Sequence, residues 1–162
     1  MQKLTSLRTA LSTALPELKR NPENLRIWIE RGNAQMTNTK SEAFSFSFQA
    51  NVLIVEMTTD IAALGLALFR WLRINQIELL APKATGFAFD ADLLDNGCAD
   101  VLIQMDLTQT VAAATDEDGM TQLTYVPEQT PLFLDDLRPD GSPDVPLLVD
   151  AEIYAILNSP GI

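Results

Sequence analysis

The sequence predicts an α+β fold: an antiparallel β-sheet with two α-helices packed on one face, continued by a proline-rich C-terminal extension. Three observations point there. Residues 4–18 and 61–75 repeat apolar side chains at helical spacing. The stretches between and after them alternate apolar and polar residues with a period of two, enough for five or six strands. Six of the nine prolines follow Val126. With the order helix, strands, helix, strands, one sheet covered on one side is the economical packing. Residues 1–126 then form the folded domain and residues 127–162 a proline-rich, acidic extension with an apolar terminal segment.

Leu4, Leu7, Leu11, Leu15 and Leu18 fall at spacings of three and four, one stripe of an amphipathic helix. Pro16 interrupts that stripe and should kink or restart the last turn, and Asn21-Pro22 marks the exit. From Leu25 the period changes to two, with Leu25, Ile27 and Ile29 on one face and Arg26, Trp28 and Glu30 on the other. Gly32-Asn33 then offers a turn or a bulge before a short further strand over residues 34–39.

The clearest strand covers residues 43–57, where Phe44, Phe46, Phe48, Ala50, Val52 and Ile54 share a face. On the other face Ser45, Ser47, Gln49 and Asn51 read as solvated, and Leu53, Val55 and Met57 as covered. At about 3.3 Å per residue this strand is roughly 45 Å long, so part of it is expected to project from the body. Phe44, Phe46 and Phe48 are either core or a contact between subunits.

Thr58, Thr59 and Asp60 can cap a helix over residues 61–75, with Ile61, Leu64, Leu68, Trp71, Leu72 and Asn75 on one side. Ala63, Leu66, Ala67 and Phe69 make the opposite side apolar as well, and Arg70 and Arg73 are its main charges. A helix apolar all round is covered twice, by its own chain or by a second subunit.

Residues 87–93 and 99–111 read as a hairpin turned at Asp95-Asn96-Gly97, and Asp116–Gly119 closes another whose return strand is 120–126. Asp90, Asp92 and Asp95 resemble a calcium loop only superficially. Leu93 and Leu94 break the alternate ligand spacing, so turn and surface carboxylates are the simpler account. In the extension, Pro127, Pro131, Pro139, Pro143 and Pro146 argue against regular structure, whereas residues 147–157, including Val149, Ile153, Tyr154 and Ile156, are apolar and expected to dock.

Composition narrows the function. The chain has no histidine, which removes the usual general base, Ser-His-Asp and Cys-His arrangements, and most zinc and iron sites. Its one cysteine, Cys98, has no partner in the chain. No catalytic residue, cofactor site or metal site is expected. Residues 1–83 hold ten basic and seven acidic side chains (net +3), and residues 84–162 one and fifteen (net −14). That excludes a phosphate-tracking second half, so nucleic acid is not an expected partner. The longest uncharged apolar run, residues 61–69, is nine residues against the roughly 20 that span a bilayer, so no membrane is expected. No continuous apolar stretch or signal pattern opens the chain, and the product is expected to stay where it is made.

Several residues in order carry a family resemblance: Ser6-Leu7-Arg8 with Ala10-Leu11, Asn21-Pro22 with Leu25-Arg26-Ile27, and Asn51-Val52-Leu53-Ile54. Trp71-Leu72-Arg73 with Asn75-Gln76, Gly86-Phe87-Ala88-Phe89 with Ala91-Asp92, and Leu107-Thr108 complete it. Over residues 4–126 the chain resembles the tail completion protein R family of contractile-tailed temperate phages and related prophages. The resemblance implies a tail-terminator-like domain with a structural role, made in the host bacterial cytoplasm during assembly and ending in the virion tail. It implies a hexameric ring that caps the tail tube, with the tube protein, a second tail completion protein and the head connector as partners. The contacts between chains are then expected at Phe44, Phe46, Phe48 and Ile54 of the long strand, Leu66, Phe69 and Arg70 of the second helix, and Ile153 and Tyr154 of the extension. A head-side adaptor is the nearer alternative, and a carboxylate-dependent hydrolase using Asp90 and Asp92 or Asp95 the more distant.

Overall fold

A computed structural model describes residues 1–128. The expectations placed on the extension, including Ile153 and Tyr154, lie outside the described residues. The unit Met1–Pro127 is built from three helices, α1 (Gln2–Ala14), α2 (Pro16–Arg20) and α3 (Ile61–Asn75), and five strands. The strands are β1 (Leu25–Met36), β2 (Phe44–Met57), β3 (Ala88–Leu93), β4 (Ala99–Thr115) and β5 (Thr121–Tyr125). All pair antiparallel in one sheet of order β1-β2-β4-β3. β5 adds to the far end of β4, from Val111↔Tyr125 to Thr115↔Thr121. The predicted α+β architecture is therefore the one observed.

The leucine stripe does what its spacing requires. Leu7, Leu11, Leu15 and Leu18 are buried completely or nearly so, and Pro16 restarts the helix as α2 after Leu15 takes an extended conformation. They meet Leu64, Leu68 and Leu72 of α3 and the sheet residues Val52, Ile54, Val101, Ile103 and Leu107 in one core. Each such side chain contributes about 1.5–3 kcal/mol by leaving water. Asp60 caps α3 by accepting from the Ala62 amide at 2.7 Å. The Trp71 indole N–H donates to Ser6 Oγ at 3.0 Å, which fixes α3 against α1.

Two bulges decide which side chains face the helices. Gly32-Asn33 makes no turn: β1 continues to Met36, with one extra residue between Glu30↔Gln49 and Asn33↔Ser47 and Arg31 at φ 52°. The separate strand expected over residues 34–39 is thus the outer part of β1. In β2 an extra residue lies between Ile54↔Val101 and Met57↔Ala99, with Glu56 at φ 53° and its amide donating to Asp100 Oδ1 at 2.8 Å. The bulge rotates Met57 onto the core face, where it is 2% exposed, so Met57 is covered by a change of face and not by a second layer. Leu53 and Val55, expected to be covered on the opposite face, are only half-buried, and Asn51, expected to be solvated, is 1% exposed. Beside it Gln104 Nε2 donates to Asn51 Oδ1 at 2.9 Å across the strand pair.

Candidate functional site

α1 and α3 end at the same level of the sheet, and a buried polar cluster marks that level. The Lys3 amide, at the start of α1, donates to Gln109 Oε1 at 3.0 Å. Gln76, just past α3, accepts from Lys3 Nζ at 2.8 Å and from the Thr108 amide at 3.0 Å, and its own amide donates to Glu78 at 2.9 Å and to Thr108 Oγ1 at 3.1 Å. The helix layer thus stops at Thr108 and Gln109, but β4 runs six residues further, about 20 Å. Beyond that level the sheet overhangs the helices.

The alternation of β1, β2, β4 and β5 sets which side chains occupy the helix-side face of the overhang: Met36, Phe44, Leu123 and Tyr125, with Val111 between them buried at 4% exposure and Phe46, paired with Gln109, at the boundary and packed against the core. Met36 is 57% and Leu123 65% exposed. Phe44 and Phe46 are half-buried, with ring centroids 5.4 Å apart in an edge-on contact. The projecting part of the long strand is therefore its Phe44 end. Phe48 and Ile54, on the same face, lie under the helices in the chain's own core at 4% and 0% exposure, which leaves them no surface to offer another chain.

At the other end of the sheet α3 and β3 form a ridge. Leu66 and Phe69 stand on the flank of α3 away from its buried stripe, 38% and 42% exposed. The Phe69 ring packs on Phe87 with centroids 4.9 Å apart, and Gly86 (φ 67°) lies against it, where an added Cβ would stand 3.3 Å from that ring. Phe89 and Leu93 continue the apolar face along β3, paired with Ile103 and Ala99, and are 55% and 80% exposed. Arg70 is half-buried on the same helix and Arg73 exposed. The structure thus gathers Leu66, Phe69 and Arg70 at the ridge and places Phe44 at the overhang with Phe46 at its edge, at the opposite end of the sheet.

Asp90 and Asp92 alternate onto the sheet face opposite the helices and Asp95 lies in the following turn. Among the described residues no three His, Cys, Asp or Glu side chains gather as metal ligands would. Glu17 is a clip between elements: its Oε1 accepts from the Thr58 and Thr59 amides at 3.0 and 2.9 Å and its Oε2 from the Thr59 hydroxyl at 2.7 Å. Burial alone raises its pKa, but the bonds from Thr59 and Thr58 outweigh that and hold the carboxyl below its ordinary value. Phe89, Leu93, Met36, Leu123 and Tyr125 were not anticipated as surface contacts. Phe89 and Leu93 are exposed because β3 is an edge strand, and Met36, Leu123 and Tyr125 because they lie beyond the level at which the helices stop, and neither condition is encoded in local alternation.

The molecule is a helix-covered sheet with apolar side chains exposed at two separate places, a feature consistent with assembly. The sequence model of the P2 phage tail completion protein R (GpR) family matches residues 1–129. The chain belongs to that family. A curated relative, tail completion protein R of Escherichia phage P2, is 31% identical over 134 residues, covering 81% of this chain and 86% of the relative. No solved structure matches the chain. As a family member it serves phage tail completion, a structural role in the virion tail alongside other tail components. No helix among the described residues is long and apolar enough to cross a membrane.

Proposed function

We propose that this tail completion protein acts as a tail terminator: a ring of six copies that ends growth of the tail tube and presents a different face for head joining. A tube grows by adding identical rings, so the protein that stops it must match the tube on one side and differ on the other. A closed ring of heterologous contacts meets both requirements. The observation that carries this reading is the exposed apolar ridge of Leu66, Phe69, Phe89 and Leu93, a surface that a domain working alone would keep in its core. Sixfold closure follows from the symmetry of tail tubes of this type. The contacts between chains are assigned to Leu66, Phe69 and Arg70 on the ridge and to Phe44 on the overhang with Phe46 at its edge. Partners on this reading are the tube protein, the second tail completion protein and the head connector. The chain's net charge of −11 favours a basic partner on one ring face.

Native mass spectrometry and negative-stain microscopy of the purified protein test the ring. Six 17.8 kDa chains, about 107 kDa, in a sixfold annulus are expected, with copurification on tail tubes. A monomer at tens of micromolar refutes the ring. Binding to the connector without binding to the tube supports a head-side adaptor instead.

A further inference from the structure

We propose that the overhang of one subunit is the seat for the α3–β3 ridge of the next copy, so that each junction of the ring joins the helix-side face around Leu123 to Phe69, Phe89 and Leu93 of the neighbour. This rests on the ring reading above and specifies which two surfaces close it.

The ten large hydrophobic side chains exposed among the described residues are not scattered. Leu66, Phe69, Phe89 and Leu93 lie at the ridge, Met36, Met120, Leu123 and Tyr125 at the overhang or the turn that bounds it, and only Ile29 and Ile61 belong to neither. The centres of the two groups pair with positions of β4 ten residues apart, Phe89 with Ile103 and Leu123 with Ala113. That separation is about 33 Å on one rigid strand, so the two surfaces of a single chain do not meet. They also differ in shape. The overhang is a sheet face without helices, whereas the ridge is a helix flank beside an edge strand. Two unlike surfaces on one chain make a head-to-tail contact, the kind that closes into a ring when the rotation permits.

Charge favours pairing ridge with overhang over pairing either with itself. The charged side chains of α3 are Arg70 and Arg73, both positive, and Arg73 follows Phe69 by one helical turn on the same stripe. The turn that ends the overhang carries Asp116, Glu117 and Asp118, all exposed. Asp90 and Asp92 of β3 do not offset this, because they alternate to the far side of the sheet. A ridge seated on a neighbour's overhang brings opposite signs together, while overhang against overhang sets six acidic groups at one junction.

The pairing is tested with Phe89→Asp and Leu123→Asp, at positions 55% and 65% exposed, so neither substitution touches the core. Each variant alone should be monomeric in native mass spectrometry, with cooperative thermal unfolding kept. Mixed one to one they should form dimers and nothing larger, because Phe89→Asp retains a sound overhang, Leu123→Asp a sound ridge, and only one junction is possible. Phe89→Ser and Leu123→Ser repeat the test if an aspartate variant misfolds. A ring that survives either substitution, including one that loses only tube binding, overturns the pairing and leaves the ring standing. A mixture that stays monomeric overturns it too. A wild-type chain that forms no ring refutes both readings.

Discussion

Glu17→Gln should destabilise the domain by about 1 kcal/mol at pH 7, and the difference from wild type should disappear in acid. Glu17 lies in the first turn of α2, is 8% exposed, and gathers three hydrogen bonds from Thr58 and Thr59 just ahead of the α3 cap. A glutamine keeps the shape and an Oε1 acceptor for the two amides, and its Nε2 can donate to the Thr59 hydroxyl. What is lost is the charge, worth the difference between charge-assisted bonds of about 1.5–3 kcal/mol and neutral ones of about 1 kcal/mol, partly offset by the easier burial of an amide. The sign follows from the direction of the shift. The folded carboxyl titrates below its unfolded value near 4.3, so its stabilisation is complete above that value and is lost as pH falls through the lower folded value. Urea unfolding of both proteins between pH 7 and pH 3 reads the effect as a midpoint difference of about 0.5 M at neutral pH, shrinking towards zero. A difference that stays constant or grows in acid would refute the account of Glu17 as an ionised clip.

Three further outcomes follow from the packing. Leu68→Ala removes a fully buried side chain between α3 and the sheet and should cost about 2–5 kcal/mol, read by denaturant unfolding. Gly86→Ala forces φ 67° on an L side chain and places a Cβ 3.3 Å from the Phe69 ring. It should cost about 1–2 kcal/mol and shift the Phe69 ring resonances in aromatic NMR spectra. A chain ending at Pro127 should keep one cooperative unfolding transition, because the unit Met1–Pro127 contains the whole described core. Scanning calorimetry checks this, and an unfolded truncation would refute it.

Local patterns were legible wherever one residue type serves one local purpose. The stripe from Leu7 to Leu18, the restart at Pro16, α3 over Ile61–Asn75 with Asp60 as cap, and the hairpins turned at Gly97 and Gly119 all follow from spacing and backbone preference. The bulges were harder. Nothing in Val55-Glu56-Met57 announces that one extra residue will turn Met57 to the core, because that rotation is chosen by the pairing with Asp100 and Ala99 on another strand. The same limit applies to Asn51, an ordinary outward position by alternation whose burial depends on neighbours across two strands.

By itself the sequence determined most of the elements, the family and the absence of histidine chemistry, since these depend on residue identity and on spacings of two to four, but not the faces beyond a bulge. Only the tertiary structure decided where each face is covered. Phe44, Phe46, Phe48 and Ile54 are equivalent by alternation, yet Phe48 and Ile54 lie beneath α1 and α3, Phe46 at their edge and Phe44 beyond them. The boundary is set by Lys3, Gln76 and Gln109, residues up to 106 positions apart that meet only after the sheet and helices have packed. Contacts at that range depend on the relative lengths of strands and helices brought together, and no local periodicity encodes a difference in length between two elements that are distant in the chain.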